Sequence, residues 1–317
     1  MAYRFLLALV CFLGFAAHAQ YPDRPIRIIV PFPAGDGLDI QARLIGQKLS
    51  ERLGQQVIVD NKPGAGTLIG VEAAAKSPGD GYTLLLVTTT YAINPSLRAK
   101  VPYDPIKDFV PLIQTTAIPL VVVASNGFGP GSFADVLALA RQKPGEMTMG
   151  NSGLGTAAHI AMELLDSAAG IKFIHVPYKG IPAAMGDLTT GRLQMLCTSP
   201  AQVMSSIRDG KIKAVFTTGA KRMTQLPQVA TVQESGVPGF EVNAWVGLMA
   251  PAGTPREIVQ RLNREIAAII TAVDFKNSLT SDGSEVIASS PETFGIHIRR
   301  ELEKWGTVIR AAGIKAE

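Results

Sequence analysis

Short apolar runs recur along this chain, separated by segments in which apolar residues return every three or four positions. The runs are IRIIV (26–30), QVIVD (56–60), TLLLVT (83–88), PLVVVA (119–124), MTMG (147–150), KFIHV (172–176), RLQMLC (192–197) and KAVFTT (213–218). Their near-continuous apolar character, without strict alternation, predicts strands covered on both faces, as in parallel sheets. Between them the spacing predicts helices over 37–53, 67–76, 133–142, 156–168, 181–190 and 200–207. Strand–helix alternation of this kind predicts an α/β architecture.

The last third reads differently. Thr254-Pro255-Arg256-Glu257 has the order of a cap, a first-turn proline and a reciprocal glutamate, and Val259, Leu262, Ile266 and Ile269 follow on one helical face. Ser290-Pro291-Glu292 opens a second helix, with Phe294, Ile298, Leu302, Trp305 and Ile309 at helical spacing. Both helices are expected to fold back on the first domain, with Trp305 in the core. No long linker divides the chain. Two domains are therefore expected, with the chain crossing between them and returning, and with a cleft at the crossing: residues 20–121 plus 222–317 in one, 122–221 in the other.

The N-terminus stands outside this alternation. MAYRFLLALVCFLGFAAHAQ holds one early basic residue, Arg4, an apolar run from Phe5 to Ala17, and then Ala17-His18-Ala19. Those are the parts of a secretory signal, so residues 1–19 are expected to be cleaved. The run is short beside the ~20 apolar residues of a membrane span. Bulky Val10 before Cys11 does not suit lipid attachment. Once Cys11 leaves, Cys197 is the lone thiol, so no internal disulfide is possible and the core must carry stability. About 298 residues at 47% hydrophobic composition can bury a large core. The net charge of +4 falls by one with Arg4, and no Lys/Arg cluster appears, so a nucleic-acid partner is not expected.

Two nearly side-chain-free stretches carry the candidate chemistry. FPAGDGLD (32–39) lies between a predicted strand and helix, and GNSGLGTAAH (150–159) repeats that arrangement. Neither GxxxxGK[ST] nor a correctly spaced GxGxxG is present, so no nucleotide cofactor is expected. Gly150-Asn151-Ser152-Gly153-Leu154 approaches G-x-S-x-G but ends in Leu154. A secreted serine hydrolase with Ser152 as nucleophile and His159 as base is the competing reading; no orienting carboxylate or oxyanion hole can be nominated for it. His159, His175 and His297 show no HxxxH, HExxH or CxxC spacing, and no metal site is expected. Anion capture remains. A glycine-rich helix start leaves N–H groups unpaired, with no Cβ to block a ligand. Charge-assisted bonds contribute about 1.5–3 kcal/mol each, so three or four, less the cost of immobilising the ligand, reach the roughly 8 kcal/mol of a micromolar complex.

The chain resembles the tripartite tricarboxylate transporter receptors, also called Bug extracytoplasmic solute receptors. The resemblance is carried by YPDRPIRIIVPFPAGDGLDIQAR (21–43), VIVDNKPGAGTLIGVEAAAKSPGDGYTLLL (57–86), YDPIKDFVPL (103–112), GNSGLGTAAHIAMELL (150–165), HVPYKGIPAAMGDL (175–188), QESGVPGF (233–240) and WVGLMAPAGTP (245–255). It implies a two-domain, Venus-flytrap, periplasmic-binding-protein-like fold and a periplasmic location. It also implies a non-enzymatic, monomeric receptor for a small organic carboxylate, serving a membrane permease or a sensor kinase. Carried onto this sequence, it places Phe32, Ala34, Gly35, Asp36 and Asp39 on one side of the cleft. Asn151, Ser152, Gly153, Gly155, Thr156 and His159 face them, with Thr89, Thr90 and Asn94 on the first-domain wall. Pro177, Tyr178 and Lys179 lie at the second-domain mouth, and Thr198 and Trp245 near the crossing strands.

One departure bears on the ligand. Family members often read PAGGG followed by Thr or Ser; here Asp36 replaces a glycine and Leu38 the hydroxyl residue. Asp36 either turns outward and caps the helix or meets a cationic or hydrogen-bond-donating part of the ligand. The second option would suit an amino acid or amide, with an aromatic acid as a further candidate.

Overall fold

The protein is described by a computed structural model that covers residues 21–280 and 283–314; the predicted signal, residues 1–19, lies outside these. In chain order the first half comprises β1 (Ile26–Val30), α1 (Gly37–Leu53), β2 (Val57–Asn61), α2 (Leu68–Ala75), β3 (Thr83–Thr88), α3 (Thr89–Leu97), β4 (Phe109–Pro119), β5 (Val121–Ser125), α4 (Phe133–Gln142) and β6 (Thr148–Asn151). The second half comprises α5 (Ala157–Ala169), β7 (Ile174–Pro177), α6 (Ile181–Thr189), β8 (Met195–Thr198), α7 (Met204–Arg208), β9 (Ile212–Thr217), β10 (Asn243–Pro251), α8 (Arg256–Thr271), α9 (Val273–Thr280), β11 (Glu285–Val286) and α10 (Pro291–Ala312).

Two sheets organise these elements into two lobes. The first has the order β11-β4-β10-β3-β1-β2 and the second β7-β6-β8-β5-β9. β1 runs parallel to β2 and β3, and β6 parallel to β7 and β8, as the apolar runs predict. The sheets are mixed, however: β10 is antiparallel to β3 and β4, and β5 is antiparallel to β8 and β9. The strands on either side of the lobe crossings, β4, β5, β9 and β10, all belong to antiparallel pairs, as does β11 against β4. The chain leaves the first sheet through β4 and enters the second through β5, with Leu120 alone between them. It returns between β9 and β10. Buried Thr218 ties both crossings together: its hydroxyl donates to the Val242 carbonyl (2.6 Å) and accepts from the Leu120 N–H (2.8 Å).

β4 and β10 have no counterpart among the predicted runs. β4 carries Pro111 and buried Gln114, Thr115 and Thr116, so it does not read as apolar. β10 contains Gly247, where a Cβ would lie 2.3 Å from the Phe294 ring and 2.9 Å from the Ile113 carbonyl; only glycine allows β4, β10 and α10 to approach so closely. α3 also differs from expectation, because TTYAINPSL has Pro95 inside it. Proline leaves the carbonyl four residues back without its donor. The Tyr103 hydroxyl supplies one to that carbonyl, Tyr91 O, at 3.2 Å.

The two C-terminal helices fold back on the first lobe. α8 buries Val259, Leu262, Ile266 and Ile269 against α1 and β4. It starts one residue later than predicted. Pro255 occupies the cap position, and the Thr254 hydroxyl donates to Pro251 O (2.8 Å) instead of capping the helix. α10 follows its prediction: the Ser290 side chain accepts from Thr293 N–H, and Phe294, Ile298, Trp305 and Ile309 are buried. It packs on α3 and β4 and reaches α5 of the second lobe. Cys197 is buried in β8, and burial pushes its thiol pKa up, so no thiolate is available for chemistry. Among the described residues no helix is long and apolar enough to cross a membrane.

Candidate functional site

Where the lobes face each other lies a cleft of about 450 Å³. Its first-lobe wall comes from the β1–α1 turn and the start of α1 (Phe32, Asp36, Gly37, Leu38, Gln41), from Thr88, Thr89 and Thr90 at the β3–α3 junction, and from Thr116, Ile118, Ala244, Trp245, Val246 and Ser284. The second lobe contributes Ala157 at the start of α5, and Ser199, Ala201 and Gln202 after β8. Three helices thus begin at this space: α1, α3 and α5. Each presents the positive end of its dipole, which favours an anion by about 0.3–1 kcal/mol. Asp36 is the one ionisable side chain among these described residues, and the others offer amides, hydroxyls and helix dipoles.

The two glycine-led helix starts are built alike. At α1, Asp36 is the N-cap and its carboxylate accepts from Leu38 N–H (2.9 Å). Three residues into the helix, Asp39 reaches back and accepts from Gly35 N–H (2.8 Å). At α5, Thr156 is the N-cap, and the residue at the same helical position, His159, accepts from Gly155 N–H through Nδ1 (3.2 Å). Gly35 and Gly155 sit at φ of 83° and 74°, a left-handed backbone that glycine adopts without Cβ strain. In both starts the first helical amide, Gly37 N–H or Ala157 N–H, has no protein partner among the described residues.

Asp39 is buried and also takes Arg43 Nε (2.9 Å) and Asn61 Nδ2 (2.8 Å). The hydrogen bond from Arg43, aided by those from Gly35 and Asn61, holds its carboxyl down at about 2. Asp39 therefore shapes the turn from behind. His159 is likewise buried, with Nε2 3.5 Å from Glu163 Oε1. His175 of β7 lies beside it, with Nε2 3.0 Å from Asp166 Oδ2 and 3.6 Å from Glu163 Oε1. His159, Glu163 and His175 bring ligand-type atoms within 4.8 Å of one another, a convergence that their sequence spacing does not reveal. A metal on His159 Nε2 would need an Nδ1 that bears a proton. Here Nδ1 is the acceptor of a hydrogen bond from the Gly155 N–H, an arrangement that suits hydrogen bonding and not coordination.

Of the expected site residues, Phe32, Asp36, Thr89, Thr90 and Trp245 line the cleft. Asp36 both caps α1 and stands at the wall. Ala34 and Gly35 belong to the exposed turn beside it. Asn94 is buried away from the cleft, where its Nδ2 holds Gly66 O (2.8 Å). Asn151, Ser152, Gly153, Gly155 and Thr156 form the turn into α5 behind Ala157. The Asn151 carbonyl oxygen Oδ1 accepts from Gly153 N–H, while its Nδ2 is buried without a partner among the described residues. No hydrogen bond joins Ser152 to His159 among the described residues, so the nucleophile–base pair of a hydrolase is not formed. The Tyr178 hydroxyl donates to Asp187 Oδ2 (2.9 Å), away from the cleft lining, and exposed Pro177 and Lys179 flank it. The Thr198 hydroxyl donates to Gln202 Oε1 (2.6 Å), which turns the Gln202 amide nitrogen into that side chain's donor. Trp245 is almost wholly buried. Its backbone N–H donates to Thr89 Oγ1 (3.1 Å), and its indole N–H to Glu301 Oε2 (2.9 Å). The same carboxylate oxygen accepts Trp305 Nε1 (2.8 Å), and Lys304 pairs with the other.

Gln41, Thr116, Ser199, Gln202 and Ser284 are cleft residues that sequence reading passes over. Isolated polar residues on a helix face or a strand look like ordinary surface, and only the fold turns them inward.

The fold is similar to that of the solved periplasmic binding protein BugD (31% identity, TM-score 0.76, 94% of this chain and 100% of that one). A family model described as the tripartite tricarboxylate transporter family receptor matches residues 41–314. The chain belongs to that family. It is 39% identical over 290 residues to the "UPF0065 protein in tcbD-tcbE intergenic region" of Pseudomonas sp. (strain P51), covering 91% of this chain and 86% of that protein. Among solved structures it is similar to an R. palustris protein with adipate (34% identity, TM-score 0.79, 93% of this chain and 99% of that one). It is also similar to MatC from Rhodopseudomonas palustris with bound malate (29% identity, TM-score 0.75, 91% and 100%).

Proposed function

We propose that this protein is a periplasmic receptor that captures a small organic carboxylate in the cleft, without turning it over, for uptake by a membrane permease or for sensing. The observation that carries this reading is the convergence of three helix starts, two with an unpaired first amide, on one cleft with no cationic side chain among its described lining residues. Relatives solved with adipate and with malate support the ligand class. On this reading Gly37 and Ala157 supply backbone N–H groups from opposite lobes, Thr90 and Gln202 supply side-chain donors, and Phe32 and Trp245 form the apolar wall. Asp36 places a negative charge beside the α1 amide, which favours a ligand whose second end donates hydrogen bonds, such as an amino acid or amide.

The division into residues 20–121 plus 222–317 and residues 122–221 belongs to this proposal. In its support, every strand of the first sheet falls in the former set and, apart from Val121, every strand residue of the second falls in the latter. A monomer with a cleaved signal completes the reading.

The test is a thermal-shift panel on ligand-stripped protein, with mass spectrometry of whatever copurifies. A cognate carboxylate at a hundredfold excess over its Kd stabilises by ~2.7 kcal/mol. Silence from every carboxylate, adipate and malate included, would overturn the proposal. Ester turnover abolished by Ser152→Ala would replace it with the hydrolase.

A further inference from the structure

We infer that His159 is a positioning residue whose protonation state sets the second-lobe half of the cleft, so that ligand is gripped near neutrality and released on acidification. The release rests on the cleft reading above; the movement of the α5 start does not.

Gly155 N–H donates to His159 Nδ1 at 3.2 Å in a buried setting, so the ring is neutral, with its proton on Nε2 facing Glu163 Oε1. An imidazolium has no acceptor. Protonation sets an N–H against the Gly155 N–H, and either the ring or the turn must move. Gly155 cannot absorb that movement quietly. A Cβ there would lie 2.4 Å from Leu97 Cδ2, so this glycine's backbone is seated against α3 of the opposite lobe. The next residues are Thr156, which caps α5, and Ala157, which lines the cleft. Breaking the hook therefore displaces a lobe–lobe contact and the unpaired cleft amide together.

The groups that face the ring come from several elements. On α5 itself Glu163 faces Nε2, and Asp166 sits one turn further on. From β7 comes His175, whose ring centroid is 5.5 Å from that of His159, and Lys172 before that strand acts on Glu163. The contact from α3 is apolar Leu97. α10 also packs on α5, but among the described residues it places no charged group within ion-pair distance of His159.

His159→Asn isolates the effect, because the asparagine Oδ1 can occupy the place of Nδ1 and accept from Gly155 without ever titrating. Nuclear magnetic resonance on the ligand-free mature protein follows the Gly155 amide from about pH 8 to about pH 5. The cross-peak is expected to titrate in the wild type and to stay fixed in His159→Asn. The Kd for adipate or malate, whichever binds, is expected to weaken roughly tenfold over that range in the wild type and less than about twofold in the variant. A Gly155 amide that does not titrate, or that titrates equally in His159→Asn, would overturn the inference. If Gly155 titrates as expected while neither acid binds at any pH, the positioning role stands and the carboxylate reading fails.

Discussion

The α1 and α5 starts solve one geometric problem with two chemistries. Each has a left-handed glycine, an N-cap acceptor, and a third helical residue that reaches back four positions to hold that glycine's N–H. At α1 the hook is Asp39, an anion held by Arg43 and Asn61 throughout the biological pH range. At α5 it is His159, which accepts only while neutral. One jaw of the cleft is thus pinned by charge and the other by a titratable ring. Backbone geometry fixes where the amides point; the side chain behind them decides under what conditions they stay there.

The sharpest way to break the comparison is Asp39→Ala, which leaves the Gly35 N–H and Arg43 Nε without their acceptor and takes from Asn61 Nδ2 one of its two. It is expected to cost about 2–3 kcal/mol in urea unfolding at neutral pH, more than His159→Ala. The sign of its pH dependence follows from a folded-state value near 2, below the ordinary carboxylate range of about 4. The stabilisation is complete above about pH 4 and is lost as pH falls through about 2, so wild type and variant should converge across that window. A gap that persists at pH 2 would show that Asp39 acts through packing alone.

A smaller effect separates the two glycines. Gly35→Ala meets open space and carries only left-handed strain of about 1 kcal/mol, whereas Gly155→Ala adds the collision with Leu97 and should cost about 2 kcal/mol. Equal costs would mean that the lobes do not meet at Gly155. The smallest stability change is expected for Asp36→Gly, a few tenths of a kcal/mol, because glycine is a tolerable N-cap. Its reading lies in selectivity: by isothermal titration, gained affinity for simple dicarboxylates would place the Asp36 charge against the ligand, and an unchanged profile would confine it to capping.

Much of this fold is written in periodicity. The helices at 37–53 and 133–142 have the predicted limits, and the apolar runs locate eight of the strands to within a few residues. What periodicity hides is the crossing region. β4 and β10 carry Gln114, Thr115, Thr116 and Gly247 because they face a cleft or a close neighbour, and those residues erase an apolar signature. Glycine content points to both helix starts, but which side chain fastens each turn cannot be read from composition. Asp39 looks like a first-turn aspartate complementing the dipole, and His159 like a candidate base. Gln202 and Ser199 enter the cleft only because the second sheet brings the end of β8 against the first lobe.

Both tryptophans of the chain donate to a single oxygen of Glu301, one from the strand behind the cleft and one from the C-terminal helix. For spectroscopy this makes them one chromophore site instead of two. Their emission shares a common buried anion as its local field, so a shift of β10 relative to α10 alters both indoles at once. Intrinsic fluorescence of the unlabelled protein is thereby a built-in gauge of strain at the crossing strands, readable with stopped-flow mixing.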